Sequence, residues 1–264
     1  MKSVLRYPGG KVKAIKYIEP FWDAIAHDEY REPFLGGGSV FLAKPLAKLN
    51  WINDLDKDLI SFYKIVKDPV MCEKLVRKLL SLKVSRKQYE EFYFQKASTD
   101  FDRAVRYYYL NRCSFSGITR WNAYIGNVRY NIEKVQDKFE AISSKLSKVK
   151  ITSVDFEQVI TTPSKHKVFL FVDPPYAESR QVAAYNVTFD ESDHIRLAKM
   201  LKSTNHKFLL TYDDCRFVRN LYSWANLYDR TWTYSVANAK VHHNPRESGN
   251  ELFISNFPLP RRTN

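Results

Sequence analysis

The fold is indicated by residues 167–176 (KVFLFVDPPY), in which a short apolar run is followed directly by an aspartate and two prolines. The run 168–172 has turn-forming or polar residues on both sides, which is typical of a strand buried on both faces of a sheet. The two prolines that follow cannot donate to a sheet ladder, so the strand ends there. In open α/β sheets, ligands bind at the carboxyl ends of strands. We therefore expect residues 173–176 to emerge at a functional edge.

Two further apolar runs, residues 208–210 (FLL) and 252–254 (LFI), have the same form and are interpreted as buried strands. Between the first two runs, residues 195–201 carry apolar side chains at helical spacing. Asp190 precedes them in the position of an N-cap. Strand, helix and strand in this order predict an α/β fold built on a parallel sheet.

The middle of the chain has a different pattern. Apolar side chains recur in steps of three and four over residues 132–149, which predicts an amphipathic helix. Residues 71–82 and 101–108 suggest two more helices. We therefore expect a helical insertion at residues 57–149 inside the α/β domain.

The charge is concentrated in the same segment. The chain has 264 residues and a formal net charge of +13, and residues 57–150 contain 20 basic and 10 acidic side chains. Such clustering, with 15% aromatic residues, favours a nucleic-acid partner. Solvated helix faces are the alternative interpretation, and an anionic membrane surface is another possible partner.

Several classes of protein are excluded by the composition. The apolar runs are too short to cross a bilayer, and the first residues offer no signal peptide. Cys72, Cys113 and Cys215 are odd in number and widely spaced, which gives neither a disulfide framework nor a metal-binding motif. We expect a cytoplasmic protein.

A glycine-rich segment, residues 32–39 (EPFLGGGS), is the second candidate site. Three glycines let the backbone turn sharply and approach a ligand, and Ser39 is expected to cap a helix whose free N–H groups face that ligand. A plain surface loop is the alternative. Asp54 lies 18 residues after the first of these glycines, where nucleotide-binding folds place an acid that accepts from ribose hydroxyls. A helix cap before residues 55–66 is the other role for Asp54, and the two are compatible.

The tetrapeptide at 173–176 has chemistry suited to a planar base. The Asp173 carboxylate and the Pro174 carbonyl are hydrogen-bond acceptors, Pro175 stiffens the backbone, and Tyr176 offers a flat face. An acceptor pair beside an aromatic ring suits an exocyclic amino group. A purely structural Pro-Pro turn is the alternative.

These residues resemble the catalytic motif of amino-group DNA methyltransferases that use S-adenosylmethionine. Residues 6–11 (RYPGGK), 32–40 (EPFLGGGSV), 53–54 (ND) and 250–254 (NELFI) occur in the order of the Dam-type DNA adenine-N6 methyltransferases of the alpha class. The resemblance covers nearly the whole chain. It implies a Rossmann-like methyltransferase sheet with an inserted small helical DNA-recognition domain, in a prokaryotic or phage-encoded enzyme.

The resemblance also implies a division of the chain and a cofactor site. Residues 1–56 and 150–264 would form the catalytic domain and residues 57–149 the target-recognition insertion. The cofactor would be S-adenosylmethionine, with S-adenosylhomocysteine as product and no metal. Its expected contacts are Tyr7, Gly9, Lys11, Phe34, Gly36, Gly38, Ser39, Asp54, Asp155, Phe156 and Asp173. Among these, Asp54 would hold the ribose and Asp155 and Phe156 would flank the adenine. The catalytic residues would be Asp173, Pro174, Pro175 and Tyr176.

On the DNA side, residues 111–122 (NRCSFSGITRWN) resemble the family's recognition loop. The expected DNA contacts are Arg112, Phe115, Ser116, Arg120 and Arg129. Phe115 would wedge into the base stack, supported by Ser116, and Arg120 would read a base edge. The hairpin that follows in the family is shortened here to residues 126–130 (GNVRY), so the usual four-base target does not carry over.

The expected function is transfer of a methyl group to the N6 amino group of adenine in a specific double-stranded DNA sequence, by base flipping and direct displacement. The alternatives are a cytosine-N4 or RNA methyltransferase and a catalytically silent DNA-binding regulator on the same fold. Double-stranded DNA is the expected partner, and a cognate restriction endonuclease is a further candidate. We expect a monomer in solution and no membrane association.

Overall fold

The computed structural model describes residues 1–114, 117, 130, 132–178, 188–233 and 248–259, with side chains omitted at 231–233 and 248–250. The strands of this part are β1 (Glu29–Glu32), β2 (Leu49–Asn53), β3 (Lys150–Thr152), β4 (Val168–Val172), β5 (Lys207–Asp213), β6 (Asn226–Thr233) and β7 (Ser248–Ser255). They form one sheet in the order β3-β2-β1-β4-β5-β7-β6. The predicted α/β class is confirmed.

The first five strands in that order run parallel, and β7 lies antiparallel to both β5 and β6. The strand order reverses between β1 and β4, which are hydrogen-bonded neighbours although 135 residues separate their ends at Glu32 and Val168 along the chain. A reversal of this kind opens a crevice at the carboxyl ends of the two strands. Both candidate motifs follow these strands.

The central strand β4 explains why the sheet is covered on both sides. All five of its residues are buried. Phe169 and Phe171 join one core cluster, whereas Val168, Leu170 and Val172 join the other. Successive side chains of a strand point to opposite faces, so a continuous apolar run needs apolar partners on both faces. The parallel sheet thus separates two cores.

Helices supply those partners. They are α1 (Ile15–Asp23), α2 (Ser39–Ala43), α3 (Lys57–Lys67), α4 (Pro69–Leu80), α5 (Arg86–Phe94), α6 (Asp100–Cys113), α7 (Gln136–Leu146), α8 (Phe156–Thr161), α9 (Glu191–Ser203) and α10 (Arg216–Leu221), with a 3₁₀ helix at Lys11–Lys13. In the described part of the chain, none is long and apolar enough to cross a membrane.

In its described residues, the inserted segment between β2 and β3 contains the helices α3 to α7. The helix predicted over residues 132–149 is shorter, because α7 begins at Gln136 and Ile132 lies in the turn before it. Phe62 of α3 and Phe139 of α7 belong to the same core cluster as Phe169 of the sheet. The insertion therefore packs directly on one face of the sheet, while the assignment of residues 57–149 to target recognition stays a prediction.

The helix caps differ in part from those expected. Asp190 caps α9 as the sequence predicts, and in the structure Asp193 also completes a capping box with it. The cap of α3 is Asp56, whose carboxylate accepts from two backbone N–H groups, so the capping role considered for Asp54 is wrong. Ser39 is the first residue of α2 rather than its cap. Gly38 occupies the cap position with a left-handed backbone. It has no side chain, so the first turn of α2 receives no side-chain capping hydrogen bond from it.

Strand β1 is buried although its sequence is Glu-Tyr-Arg-Glu. Arg31 is 1% exposed. Its guanidinium donates to Glu29 Oε1 at 2.6 Å, to the Val159 carbonyl at 2.9 Å and to the Thr162 carbonyl at 2.6 Å. A buried charge is tolerated when it is paired and hydrogen-bonded in this way. Arg31 thereby ties β1 to the C-terminal half of α8 and to its C-cap, Thr162.

Replacing Arg31 with methionine should lower the free energy of unfolding by about 3 kcal/mol, because the substitution leaves Glu29 and two buried carbonyls without their donor. Urea denaturation would measure the change. Arg86→Met, which removes an exposed ion pair with Glu90, is the control and should change the same quantity by less than about 0.5 kcal/mol. Equal effects of the two substitutions would contradict the role given to Arg31.

Candidate active site

The candidate site lies where the carboxyl ends of β1, β2, β4 and β5 meet. The glycine segment follows β1, Asp54 follows β2, and Asp173 follows β4. Asn53 joins the strand ends beside it, donating to the Pro33 and Val154 carbonyls at 2.9 Å each and accepting from the Val154 N–H at 3.0 Å. These bonds hold the turns after β1 and β3 against the end of β2.

The glycine segment makes a turn that other residues do not fit. Gly36 and Gly38 have φ values of +48° and +67°, the left-handed region that favours glycine. A Cβ on Gly36 would lie 2.8 Å from the Tyr7 ring, and one on Gly38 would lie 2.6 Å from the Tyr63 hydroxyl. The turn is therefore packed between two tyrosines, and the N-terminal segment lies directly against it.

Asp54 is bonded to this turn. Its Oδ2 accepts from the Gly36 N–H at 2.9 Å, and its Oδ1 accepts from the Asp56 N–H at 3.0 Å. Burial raises the pKa of the Asp54 carboxyl to about 6. The group thus carries a charge at neutral pH and loses it under mildly acidic conditions.

Asp173 is held from two sides at the end of β4. The Lys11 ammonium lies 2.8 Å from Asp173 Oδ1, and the Thr211 hydroxyl donates to the same oxygen at 2.7 Å. Lys11 also donates to the Gly9 carbonyl at 3.0 Å, and its ammonium lies 4.9 Å from the centre of the Tyr176 ring. The fold thus brings the predicted cofactor residue Lys11 into contact with the predicted catalytic motif, and Lys11 links Gly9 to that motif.

The strand beside the motif anchors the residues that follow it. Asp213, at the end of β5, accepts from the Ala177 and Glu178 N–H groups at 3.0 Å and 2.8 Å. Pro174 and Pro175 have no backbone N–H, so they cannot donate hydrogen bonds to the sheet. The bonds from Ala177 and Glu178 therefore hold the backbone just after the motif against β5. Tyr212 is fully buried, and its hydroxyl lies 2.5 Å from His194 Nδ1.

A further carboxyl group of this edge, that of Glu32 at the end of β1, is buried, and the residue is 2% exposed. Burial and the nearby Asp173 and Asp54 carboxylates raise its pKa well above the usual range, although the Tyr30 hydroxyl donates to it at 2.6 Å. Burial therefore favours the neutral form of Glu32. In the sequence Glu32 is only the first residue of the glycine segment, and no local pattern predicts its burial.

Three aromatic rings form a wall beside the glycine turn. The Phe34 ring centre lies 5.4 Å from that of Phe156 and 5.7 Å from that of Phe189. Asp155 caps α8, and both of its oxygens accept from Arg196 at 2.7 and 2.9 Å. The Arg196 guanidinium also lies 4.1 Å from the centre of the Phe156 ring. Arg196 therefore fixes both members of the predicted Asp155–Phe156 pair.

The predicted DNA contacts are only partly described. Arg112 lies near the end of α6, and its guanidinium is 3.5 Å from the Val4 carbonyl. Phe115, Ser116, Arg120 and Arg129 lie outside the described residues. The roles predicted for the site residues, on both the cofactor and the DNA side, stay predictions.

Residues 212–214 follow the strand predicted at 208–210, so the sequence places Asp213 at the active edge, as a candidate to line the base pocket. Two residues of this arrangement were missed from the sequence, Thr211 and Arg196, and Thr211 follows from the same strand. No sequence pattern indicates that Arg196 would meet Asp155. In the described part of the chain, no group of three or more His, Cys, Asp or Glu side chains is suited to hold a metal.

Comparison with known proteins assigns the family. A family model described as D12 class N6 adenine-specific DNA methyltransferase matches residues 7–236, most of the chain. The chain belongs to this family. Membership in the D12 class supports adenine-N6 methylation of DNA over the cytosine-N4 and RNA alternatives, and an enzyme over a catalytically silent regulator.

Two curated relatives agree with this assignment. The D12-class chain is 29% identical over 238 residues to the type II methyltransferase M.MjaIII of Methanocaldococcus jannaschii, covering 78% of this chain and 81% of that protein. It is 26% identical over 265 residues to the DNA adenine methylase of Escherichia coli K12, with 86% of each chain covered. The solved rRNA methyltransferase AviRa of Streptomyces viridochromogenes aligns over 97% of this chain and 90% of its own, with 11% identity and a TM-score of 0.40.

The contact between Arg196 and Asp155 in this D12-class protein predicts a titration. Hydrogen bonding to Arg196 lowers the pKa of Asp155, so Arg196→Met should raise that pKa toward the ordinary value of about 4. A carboxyl whose pKa is depressed by folding stabilises the protein above its ordinary pKa, and this contribution is lost as the pH falls through the lower folded value. The acid-induced loss of stability should therefore be smaller in the variant.

Carbon-13 NMR titration of the aspartate carboxyls between pH 2 and 6 would test this expectation. Lys199→Met, on the exposed side of the same helix, is the control and should leave the Asp155 titration unchanged. An Asp155 pKa that stays low in Arg196→Met would show that the N-cap position, and not the arginine, sets it.

Proposed function

We propose that this protein transfers a methyl group from S-adenosylmethionine to the N6 amino group of an adenine in a specific double-stranded DNA sequence. The observation that carries the proposal is the fixed position of Asp173, whose carboxylate is held beside Tyr176 by Lys11 at the end of β4. Pro174 adds a carbonyl acceptor next to it. This arrangement suits an exocyclic amino group on a planar base.

The residues around the glycine turn fit the proposed cofactor. A Cβ at Gly36 would clash with the Tyr7 ring and one at Gly38 with the Tyr63 hydroxyl, so glycine at these positions lets the turn take the shape proposed to receive the cofactor. Asp54 supplies a carboxylate for ribose hydroxyls, and Phe34 and Phe156 supply an aromatic wall for the adenine. The remaining contacts are Gly9, Lys11, Ser39 and Asp155. When bound, S-adenosylmethionine supplies a methyl group on a positively charged sulfur.

The protein's own groups make the adenine nitrogen reactive. Its lone pair is delocalised into the ring, which makes the free amino group a poor nucleophile. Asp173 and the Pro174 carbonyl accept its two hydrogens, and this favours a pyramidal nitrogen as positive charge develops there. Tyr176 stacks on the base and fixes its plane, so the nitrogen is oriented for direct displacement. One proton is released for each methyl group transferred.

Access to the base depends on the DNA side of the protein. A base inside a duplex must be flipped out, which costs a few kcal/mol of stacking and pairing. The basic segment at residues 57–149 supplies phosphate contacts that offset this cost. Arg112, Phe115, Ser116, Arg120 and Arg129 are the residues we assign to recognition. The relatives named type II methyltransferases suggest a cognate restriction endonuclease as partner, and we place the activity in the cytoplasm.

Asp173→Asn should lower the turnover number by about 10²- to 10³-fold or more, because the amide removes the charge that faces the developing positive nitrogen. DNA affinity should change little, because Asp173 lies at the proposed site of methyl transfer and not in the basic segment that contacts the phosphates. Methyl transfer from tritium-labelled cofactor and a filter-binding assay would measure the two quantities. Asp23→Asn, an exposed position at the end of α1, is the matched control. Normal turnover in Asp173→Asn would refute the mechanism.

The raised pKa of Asp54 predicts how cofactor binding depends on pH. The carboxyl becomes protonated as the pH falls through about 6, and it then loses acceptor capacity for the ribose hydroxyls. The dissociation constant of S-adenosylhomocysteine should therefore rise between pH 7.5 and pH 5.5, as measured by isothermal titration calorimetry.

Asp54→Asn should bind more weakly across this range and lose most of the pH dependence. The control Asp23→Asn should keep the wild-type profile. An unchanged pH dependence in Asp54→Asn would show that another group is responsible and would remove the support for Asp54 as the ribose acceptor.

A further inference from the structure

We propose that Thr211 is a positioning residue for methyl transfer, fixing the rotation of the Asp173 carboxylate so that Oδ2 faces the target amino group. The Thr211 hydroxyl donates to Asp173 Oδ1 at 2.7 Å. The inference rests on the proposed function, since it gives Thr211 a role only through Asp173. It concerns orientation, because Thr211 itself would touch neither the cofactor nor the base.

The position of Thr211 makes its hydroxyl a rigid donor. The residue lies in β5, pairs with Phe253 of β7, and is completely buried. Threonine is branched at Cβ, which restricts its side-chain rotation in a strand. Its single hydroxyl hydrogen has two acceptors in reach, the Val172 carbonyl at 3.5 Å and Asp173 Oδ1 at 2.7 Å. The shorter distance, and the charge of the carboxylate, select Asp173.

The two donors to Asp173 converge on one oxygen. Lys11 and Thr211 both contact Oδ1, at 2.8 and 2.7 Å. A carboxylate oxygen has about two lone-pair sites, so these donors occupy Oδ1. Within the described residues, no other donor reaches Asp173. Oδ2 is thus the oxygen left for the hydrogen of a substrate amino group.

Other contacts fix the backbone of the motif but leave the carboxylate free to rotate. Pro174 and Pro175 restrict their own φ angles, and Asp213 holds the N–H groups of Ala177 and Glu178. None of these contacts acts on the side-chain torsions of Asp173. Lys11 supplies charge, but its ammonium ends a long flexible chain and also bonds to Gly9. Thr211 is the stiff donor that sets the direction of the carboxylate.

Thr211→Val is the central test, because valine keeps the branched shape and removes the hydroxyl. Single-turnover methyl transfer on a DNA duplex should be about 10- to 100-fold slower, the loss expected when a hydrogen bond to a charged group is removed from the transition state. The KM for DNA and the dissociation constant of S-adenosylhomocysteine should stay within about twofold. Thr211→Ser should recover most of the rate, since it restores the donor.

Controls separate positioning from a merely structural role. Thr161→Val removes an exposed hydroxyl that bonds within α8 and should leave the rate unchanged. Thr211→Ala removes the same hydroxyl donor without placing a methyl group in its position, as valine does. It replaces Thr211→Val in the assay if the valine variant does not fold. A normal rate in both the valine and alanine variants would overturn the proposal. The proposal would also be overturned if Thr211→Ser were as slow as Thr211→Val. It would be overturned as well if the rate fell only in variants whose thermal stability fell in parallel.

Asp173→Asn in the same assay distinguishes this proposal from the proposed function. If Asp173→Asn is inactive while Thr211→Val turns over normally, only the positioning role fails. If Asp173→Asn turns over normally, the mechanism itself fails and the role of Thr211 fails with it.

Discussion

The central strand β4 must bury apolar side chains on both of its faces, and this requirement organises the rest of the molecule. A strand such as VFLFV leaves no face for water, so helices pack on both sides of the sheet. Polar chemistry is then confined to the strand ends. Asp173 lies one residue beyond the last buried valine, where the carboxylate is partly exposed while its backbone is still held by the sheet. The same strand therefore supplies both the core and the position of the motif.

A second constraint joins the N-terminal segment to the inserted helices. The Asn111 side chain accepts from the Arg6 N–H at 2.9 Å and donates to the Arg6 carbonyl at 2.6 Å and the Gly117 carbonyl at 3.2 Å. Tyr7, the next residue, packs on the Gly36 turn. The start of the predicted recognition segment and the glycine turn are therefore connected through the adjacent residues Arg6 and Tyr7.

Elements held by local interactions could be predicted, and those held by distant residues could not. Strand β4 and helix α9 were predicted because apolar patterning and an N-cap aspartate are local signals. Strand β1 gave no such signal, because Glu-Tyr-Arg-Glu is buried only through the bonds of Arg31 to the distant α8 segment. The cap assigned to Ser39 was wrong for a related reason, since Gly38 takes the cap position where a Cβ would lie 2.6 Å from the hydroxyl of the distant Tyr63.

The charges of the site and of the whole chain have opposite signs, and each agrees with a different proposed ligand. Glu32, Asp54 and Asp173 converge on one edge, where Lys11 pairs with Asp173 and burial raises the pKa of Glu32. This cluster of acidic side chains would favour a proposed cofactor that carries positive charge on its sulfur. DNA is a polyanion and is attracted by positive charge, and residues 57–150 hold twice as many basic as acidic side chains. Segregating the charges lets one basic protein attract a polyanion without repelling a cationic methyl donor from its active edge.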